Sequence, residues 1–177
     1  MPIALTVHME PHEEHYMHEG GFRMNDDRRS TVARFVAQNG IPDSDLFVCV
    51  AVHEEGNIPP YVQGYGDIEL RLRDDLVAEI RVACDGDYQD VACQGAAKKT
   101  VGEQAGYVKR FHDLSDLPPH EKRQRLESLV ASSSGMYVEA RLFRAITPSD
   151  VQARKDHSFA GNLERIMGKF EMRDPCP

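Results

Sequence analysis

Apolar and polar residues fall along this chain in short blocks, and the blocks predict a mixture of strands and helices rather than one repeated unit. Ile3 to Met9 is short, apolar and partly β-branched, which reads as a strand. Pro11 suits a first helical position and Gly20-Gly21 a stop, so a short helix over 11–19 follows. Val32, Phe35 and Val36 repeat at i, i+3, i+4 behind Asn25 or Asp26 as caps, and Gly40 with Pro42 closes that helix. Leu46 to Val52 is nearly continuous in apolar residues, the pattern of a buried strand. Gly56, Asn57, Pro59 and Pro60 make 54–63 a loop.

Farther on, Tyr65 to Leu72 alternates Ile68, Leu70 and Leu72 against Asp67, Glu69 and Arg71, and Leu76 to Cys84 reads as its hairpin partner after an Asp74-Asp75 turn. Asp85-Gly86-Asp87 is a second turn. Between 88 and 117 the spacing of Val101, Ala105 and Val108 predicts helix, while Gly95, Gly102 and Gly106 weaken it, so part helix and part mobile loop is expected. Pro118-Pro119 opens an amphipathic helix over 120–132 with Leu126, Leu129 and Val130 inward. Met136 to Phe143 reads as a strand. Thr147-Pro148-Ser149-Asp150 is a capping box that starts a short helix, a last helix spans 162–170, and the tail 172–177 frays. Strands and helices do not alternate regularly. The expectation is one α+β domain over 1–177, with a mainly antiparallel or mixed sheet flanked by helices, rather than a doubly wound parallel sheet.

Composition narrows the partners. A chain of 177 residues, 41% apolar and 28% charged, can bury a core of its own, which must rest on aliphatic side chains because aromatics are only 7% and Trp is absent. A net charge of −8 repels phosphate backbones and anionic bilayers at long range, so general nucleic-acid and membrane-surface binding are not expected. No apolar run is long enough to span a bilayer. Cys49, Cys84, Cys93 and Cys176 are widely spaced, and the N-terminus lacks the charged head and apolar stretch of a secretory signal. Reduced thiols and a cytoplasmic location are therefore expected.

His8, His12, His15 and His18 crowd into eleven residues with Glu10, Glu13, Glu14 and Glu19 among them. Imidazole and carboxylate together can ligate a transition metal, and His12 and His15 lie one turn apart. No strong zinc signature is met: His12-Glu13-Glu14-His15 is one residue short of His-Glu-x-x-His. A solvated face of charge and imidazole is the plain alternative, so metal at His12, His15 and His18 is kept as a secondary expectation.

Two stretches carry a family resemblance. The first is Tyr65-Gly66-Asp67-Ile68-Glu69-Leu70-Arg71-Leu72, followed by Asp85-Gly86-Asp87. The second is Tyr137-Val138-Glu139-Ala140-Arg141-Leu142-Phe143, then Ile146-Thr147-Pro148-Ser149-Asp150-Val151. Together, over roughly half the chain, they resemble bacterial and phage ADP-ribosyltransferase-like domains, a group that includes DNA-targeting toxins. No Ser-Thr-Ser and no Glu-x-Glu or Gln-x-Glu pair accompanies them. The resemblance implies an ADP-ribosyltransferase-like fold, NAD as substrate, and an acceptor that no motif identifies. It implies Glu139 as the catalytic carboxylate, because breaking the nicotinamide–ribose bond builds positive charge on the ribose, as in glycoside cleavage. It also implies His8 on the adenosine-side ribose, Tyr65 or Tyr137 stacked on nicotinamide, and Arg141 beside them.

Set against this is a bland reading of the same strand. Tyr137, Glu139, Arg141 and Phe143 share one face, and a Glu139–Arg141 ion pair there could be structural. The sequence holds no Gly-x-Ser-x-Gly elbow, no phosphate-binding P-loop and no complete dinucleotide fingerprint. The rival to a transferase is a non-catalytic acidic protein that covers a basic site on a partner protein.

Overall fold

Ile3, Leu5, Val7 and Met9 face one side of the first strand and Ala4, Thr6 and His8 the other, and all seven are buried. A strand covered on both faces belongs inside a sheet with material on each side. The computed structural model, which describes residues 2–19, 21, 30–43, 48–133 and 137–159, places it there. Strand β1 (Ile3–Met9) pairs with β2 (Val48–Glu54) on one edge and β3 (Ile68–Leu72) on the other. With β4 (Val82–Asp85), β5 (Phe111–Asp113), β6 (Val138–Leu142) and β7 (Val151–Asp156) they form a seven-stranded sheet of order β5-β4-β6-β2-β1-β3-β7. Every strand pairing in it is antiparallel. The chain is thus a single α+β domain, as its pattern predicts.

One face of the sheet carries the main core. Odd-numbered residues of β1, Val48, Val50 and Val52 of β2, Ile68, Leu70 and Leu72 of β3, and Val138, Ala140 and Leu142 of β6 meet Leu126 and Leu129 of α5 (Pro119–Ser132). Leu76, Val77 and Ile80 join them. The opposite face is divided. Over β4 it is apolar: Val82 and Cys84 lie under Val32, Phe35 and Val36 of α1 (Ser30–Gln38) and under Val91 and Ala92 of α3 (Tyr88–Ala97). Gly95 makes that helix contact close, since a Cβ there would stand 2.4 Å from the Phe35 ring. Helix α4 (Val101–Val108) packs on α3, and the short α2 (Pro60–Gln63) brings Val62 onto Ala51 and Tyr137. Across β6, β2, β1 and β3 the same face is polar, with Glu139, Arg141, Thr6, His8 and His53 all buried.

Several predicted elements differ in kind. Residues Asp74–Glu79 form a 3-10 helix, not the start of a strand, and Lys122 fixes it by donating from Nζ to the Ala78 and Ile80 carbonyls at 2.7 Å each. The strand that follows pairs with β5 and β6, so the expected hairpin with β3 does not form. The N-terminal helix is a 3-10 helix over Pro11–Met17, closed by a Glu10/Glu13 capping box. The stretch 88–117, expected as part helix and part mobile loop, holds two helices and β5, one helix falling on the Val101–Val108 pattern. The capping box at Thr147 opens only the 3-10 turn Pro148–Asp150, which runs into strand β7, because Asp150 is drawn onto Arg144 at 2.8 and 2.9 Å. The expected caps at 25 and 26, the helix 162–170 and the frayed tail lie outside the described residues. Cys49 and Cys84 are free thiols, whereas Cys93 is disulfide-bonded, a departure from the all-thiol expectation. No helix among the described residues is long and apolar enough to cross a membrane.

Candidate functional site

The polar half of the second face is built where β4 and β6 meet the start of α3. Asp85-Gly86-Asp87 turns the chain from β4 into α3, and Asp87 caps that helix by accepting the Asp90 amide at 2.8 Å. This leaves the next amide, Tyr88 N–H, aimed at the sheet, where it donates to Glu139 Oε2 at 3.2 Å. A helix N-terminus favours a carboxylate at that spot. Glu139 stands at the centre of β6, opposite Cys84 of β4 and Ala51 of β2, and is 3% exposed.

Arg141, two residues along on the same face, closes the inner side. Its Nε lies 3.5 Å from Glu139 Oε1, an ion-pair distance without a hydrogen bond, and its Nη1 donates to Asp43 Oδ1 at 3.3 Å. The guanidinium lies 3.4 Å from the centroid of the Tyr88 ring, whose hydroxyl donates to the Pro42 carbonyl. Arg141 is therefore committed to holding Glu139 from behind.

Three tyrosines form the outer side. The Tyr137 hydroxyl sits between Glu139 Oε2 at 3.2 Å and Asp87 Oδ2 at 3.3 Å, and Tyr65 Oη is 3.0 Å from both Asp87 Oδ2 and Tyr137 Oη. Two carboxylates thus share two phenolic protons. Tyr61 lies over Tyr137 with centroids 5.2 Å apart and planes at 23°, and its hydroxyl meets Asp90 Oδ2 at 3.4 Å. At 37% exposure Tyr61 is the lip of the cluster. Gly66 allows Tyr65 this position: its φ is +155°, and a Cβ there would fall 2.1 Å from the Met9 carbonyl group.

The electrostatics follow from burial and from the pair of acids. Loss of solvent raises the Glu139 pKa, the Asp87 charge raises it further, and Arg141, the Cys49 thiol and the Tyr88 amide oppose them, leaving it at about 7. Burial first, then Asp87, push the Tyr61 and Tyr65 phenols up, and burial followed by Glu139 does the same for Tyr137, so all three stay protonated donors. Burial and Asp87 also raise Asp90. The arrangement can bind a cation or an electron-poor ring at its aromatic lip, and can hold or release one proton at Glu139 near neutrality.

Of the residues singled out from sequence, the structure brings Glu139, Tyr65, Tyr137 and Arg141 into one cluster. His8 is not in it. His8 shares the sheet face but lies on β1, two strands from β6. By strand spacing and register that places it about 12 Å from Glu139. It is 8% exposed, neither ring nitrogen makes a regular hydrogen bond, and Gly66 is the nearby backbone. Burial lowers its pKa to about 4 against the pull of Glu69. Between the two ends, Thr6 Oγ1 and His53 Nε2 are 3.0 Å apart, and His53 Nδ1 meets the Glu54 carbonyl, so Nε2 is the acceptor of the Thr6 hydroxyl.

Sequence reasoning missed Asp87, Tyr61, Asp90 and Asp43. Only Asp87 carried a signal, as an Asp before an apolar helix start. The N-terminal histidines divide between elements: His8 is on β1, His12 and His15 lie on the 3-10 helix, where His15 Nδ1 bonds the His12 carbonyl at 2.6 Å, and His18 is that helix's C-cap. Among the described residues no three His, Cys, Asp or Glu side chains are placed to hold a metal ion. No protein-family model, curated protein sequence or solved structure matches the chain.

Proposed function

We propose that the chain transfers ADP-ribosyl groups from NAD⁺, with Glu139 as the carboxylate that stabilises the positively charged ribose. The observation that carries this reading is the placement of a buried, rigidly held glutamate under an aromatic lip. Nicotinamide in NAD⁺ is a cationic ring, and Tyr61 with Asp87 and Asp90 offers it a stacking surface of complementary charge. Glu139 Oε2 is the oxygen on the lip side, where it accepts from the Tyr137 hydroxyl and the Tyr88 amide. His8, on the same face with incompletely satisfied ring nitrogens, suits the far end of an extended dinucleotide. In this reading Arg141 and the Tyr88 amide position Glu139, and Tyr137 links it to Asp87 for proton exchange. The acceptor approaches past Tyr61 and Asp90.

NAD⁺ labelled in its adenylate half, incubated with the protein and a cell lysate, tests the proposal. Wild type should move label onto macromolecules. Glu139→Gln, which keeps the shape and loses the charge, should reduce transfer by roughly a hundredfold or more. Equal labelling by both would remove Glu139 from the mechanism.

One observation favours a second reading, a non-catalytic acidic binding protein. Glu139 is 3% exposed and already engaged by Arg141, Tyr88 and Tyr137, as a structural carboxylate would be. The readings part on NAD⁺ itself: the transferase binds and consumes it, and the binding protein does neither.

A further inference from the structure

The His8 end of the polar face is covered by the chain's own residues. After β7 the chain continues its ladder past the start of β3: the His157 amide donates to the Asp67 carbonyl at 2.7 Å, and His157 Nε2 pairs with Glu69 Oε2. Phe159 stacks on His157 with centroids 4.8 Å apart and planes at 15°. Both rings then lie against His8, with centroids 6.4 Å and 6.3 Å away. The imidazole of His8 is thus buried by two aromatic rings that satisfy neither of its nitrogens. Burying a polar ring whose hydrogen bonding is incomplete is costly, and a ligand that supplied a missing partner would compete well for the place.

The cover is built to be displaceable. Among the described residues its contacts include one backbone hydrogen bond, one imidazole–carboxylate pair and ring stacking. It also leaves from β7, the edge strand, in which Val151 is half-buried and the next five residues are exposed. Elements with few buried apolar contacts open at the lowest free-energy cost.

We propose that residues 157–159 form an autoinhibitory strap that occupies the His8 end of the site, latched by His157 on Glu69, and that a ligand lying across the face must displace it. The proposal rests on the reading that NAD⁺ spans this face. A strap that closes the site for most of the time lowers apparent affinity by the fraction of time the site is open. Phe159→Ala and His157→Ala, at half-buried positions outside the core, should therefore bind NAD⁺ about fivefold or more tightly than wild type, as read by titration calorimetry.

Amide hydrogen exchange supplies a readout independent of activity. The His157 amide should be protected in the free protein and should lose that protection when NAD⁺ saturates it. NAD⁺ binding with the same Kd in wild type and both variants, or a His157 amide still protected with NAD⁺ bound, would overturn the strap alone. Absence of NAD⁺ binding by wild type and by both strap variants would instead overturn the reading on which the strap rests.

Discussion

Glu139 is held by two neighbours on its own segment, the Tyr137 hydroxyl just before β6 and the Arg141 guanidinium on β6, and by the distant Tyr88 amide at the start of α3. Such a carboxylate leaves a thermodynamic signature whatever its chemistry. Its folded pKa of about 7 lies above the ordinary 4.5 because burial and Asp87 disfavour the ionised form. The folded state therefore binds the proton more tightly than the unfolded one. The resulting stability is present below pH 4.5 and is lost as pH rises through 7. A shift of this size corresponds to about 3 kcal/mol. Urea unfolding of wild type between pH 5 and 8 should show that loss, and Glu139→Gln should flatten the profile by a comparable amount. Parallel profiles for the two proteins would mean that Glu139 titrates normally. Strand alternation puts Tyr137, Glu139 and Arg141 on one face and makes that trio legible in the sequence, whereas Tyr65 lies outside any strand and was singled out only by the resemblance. Asp43 and Tyr61 were not, since their place depends on long-range packing that no local pattern encodes.

At the level of elements, legibility followed the range of the forces involved. Strands β1 and β2 and helix α5 are declared by local apolar pattern, and they appear close to where that pattern puts them. The segment 74–80 is not, because Lys122, more than forty residues away, ties off its carbonyls and prevents the hairpin that its composition suggests. Strand β7 was hidden for a related reason: its residues are nearly all exposed, so they carry little apolar alternation, and pairing with β3 alone makes them a strand. Two glycines test how closely the elements fit. Gly95→Ala should destabilise the protein by about 1–3 kcal/mol by driving a methyl group into Phe35. Gly66→Ala should cost at least as much, because both its backbone conformation and the Met9 carbonyl oppose a side chain. Chemical denaturation reads both, and a variant as stable as wild type would show that the packing there is loose. Gly66→Ala should also weaken NAD⁺ binding, since Tyr65 is set by the same turn.

For the whole molecule, the sheet gives its two faces different duties. One is sealed by α5 and carries the aliphatic core; the other is apolar only under α1 and α3 and polar across β6, β2, β1 and β3. The chain as a whole carries a net charge of −8, so a cationic ring or a basic acceptor gains from its field at long range, while an extended polyanion does not. We propose that this face cleaves NAD⁺ at Glu139. The most direct test is the rate of nicotinamide release from NAD⁺ by purified protein supplemented with lysate, followed from pH 5 to 9 beside Glu139→Gln. Wild type should release nicotinamide at a rate that rises with pH through about 7, as Glu139 ionises, and the variant should be slower by roughly a hundredfold at pH 8 to 9, where wild-type Glu139 is ionised. No release by wild type at any pH, or equal release by the two proteins in that alkaline range, would contradict the proposal.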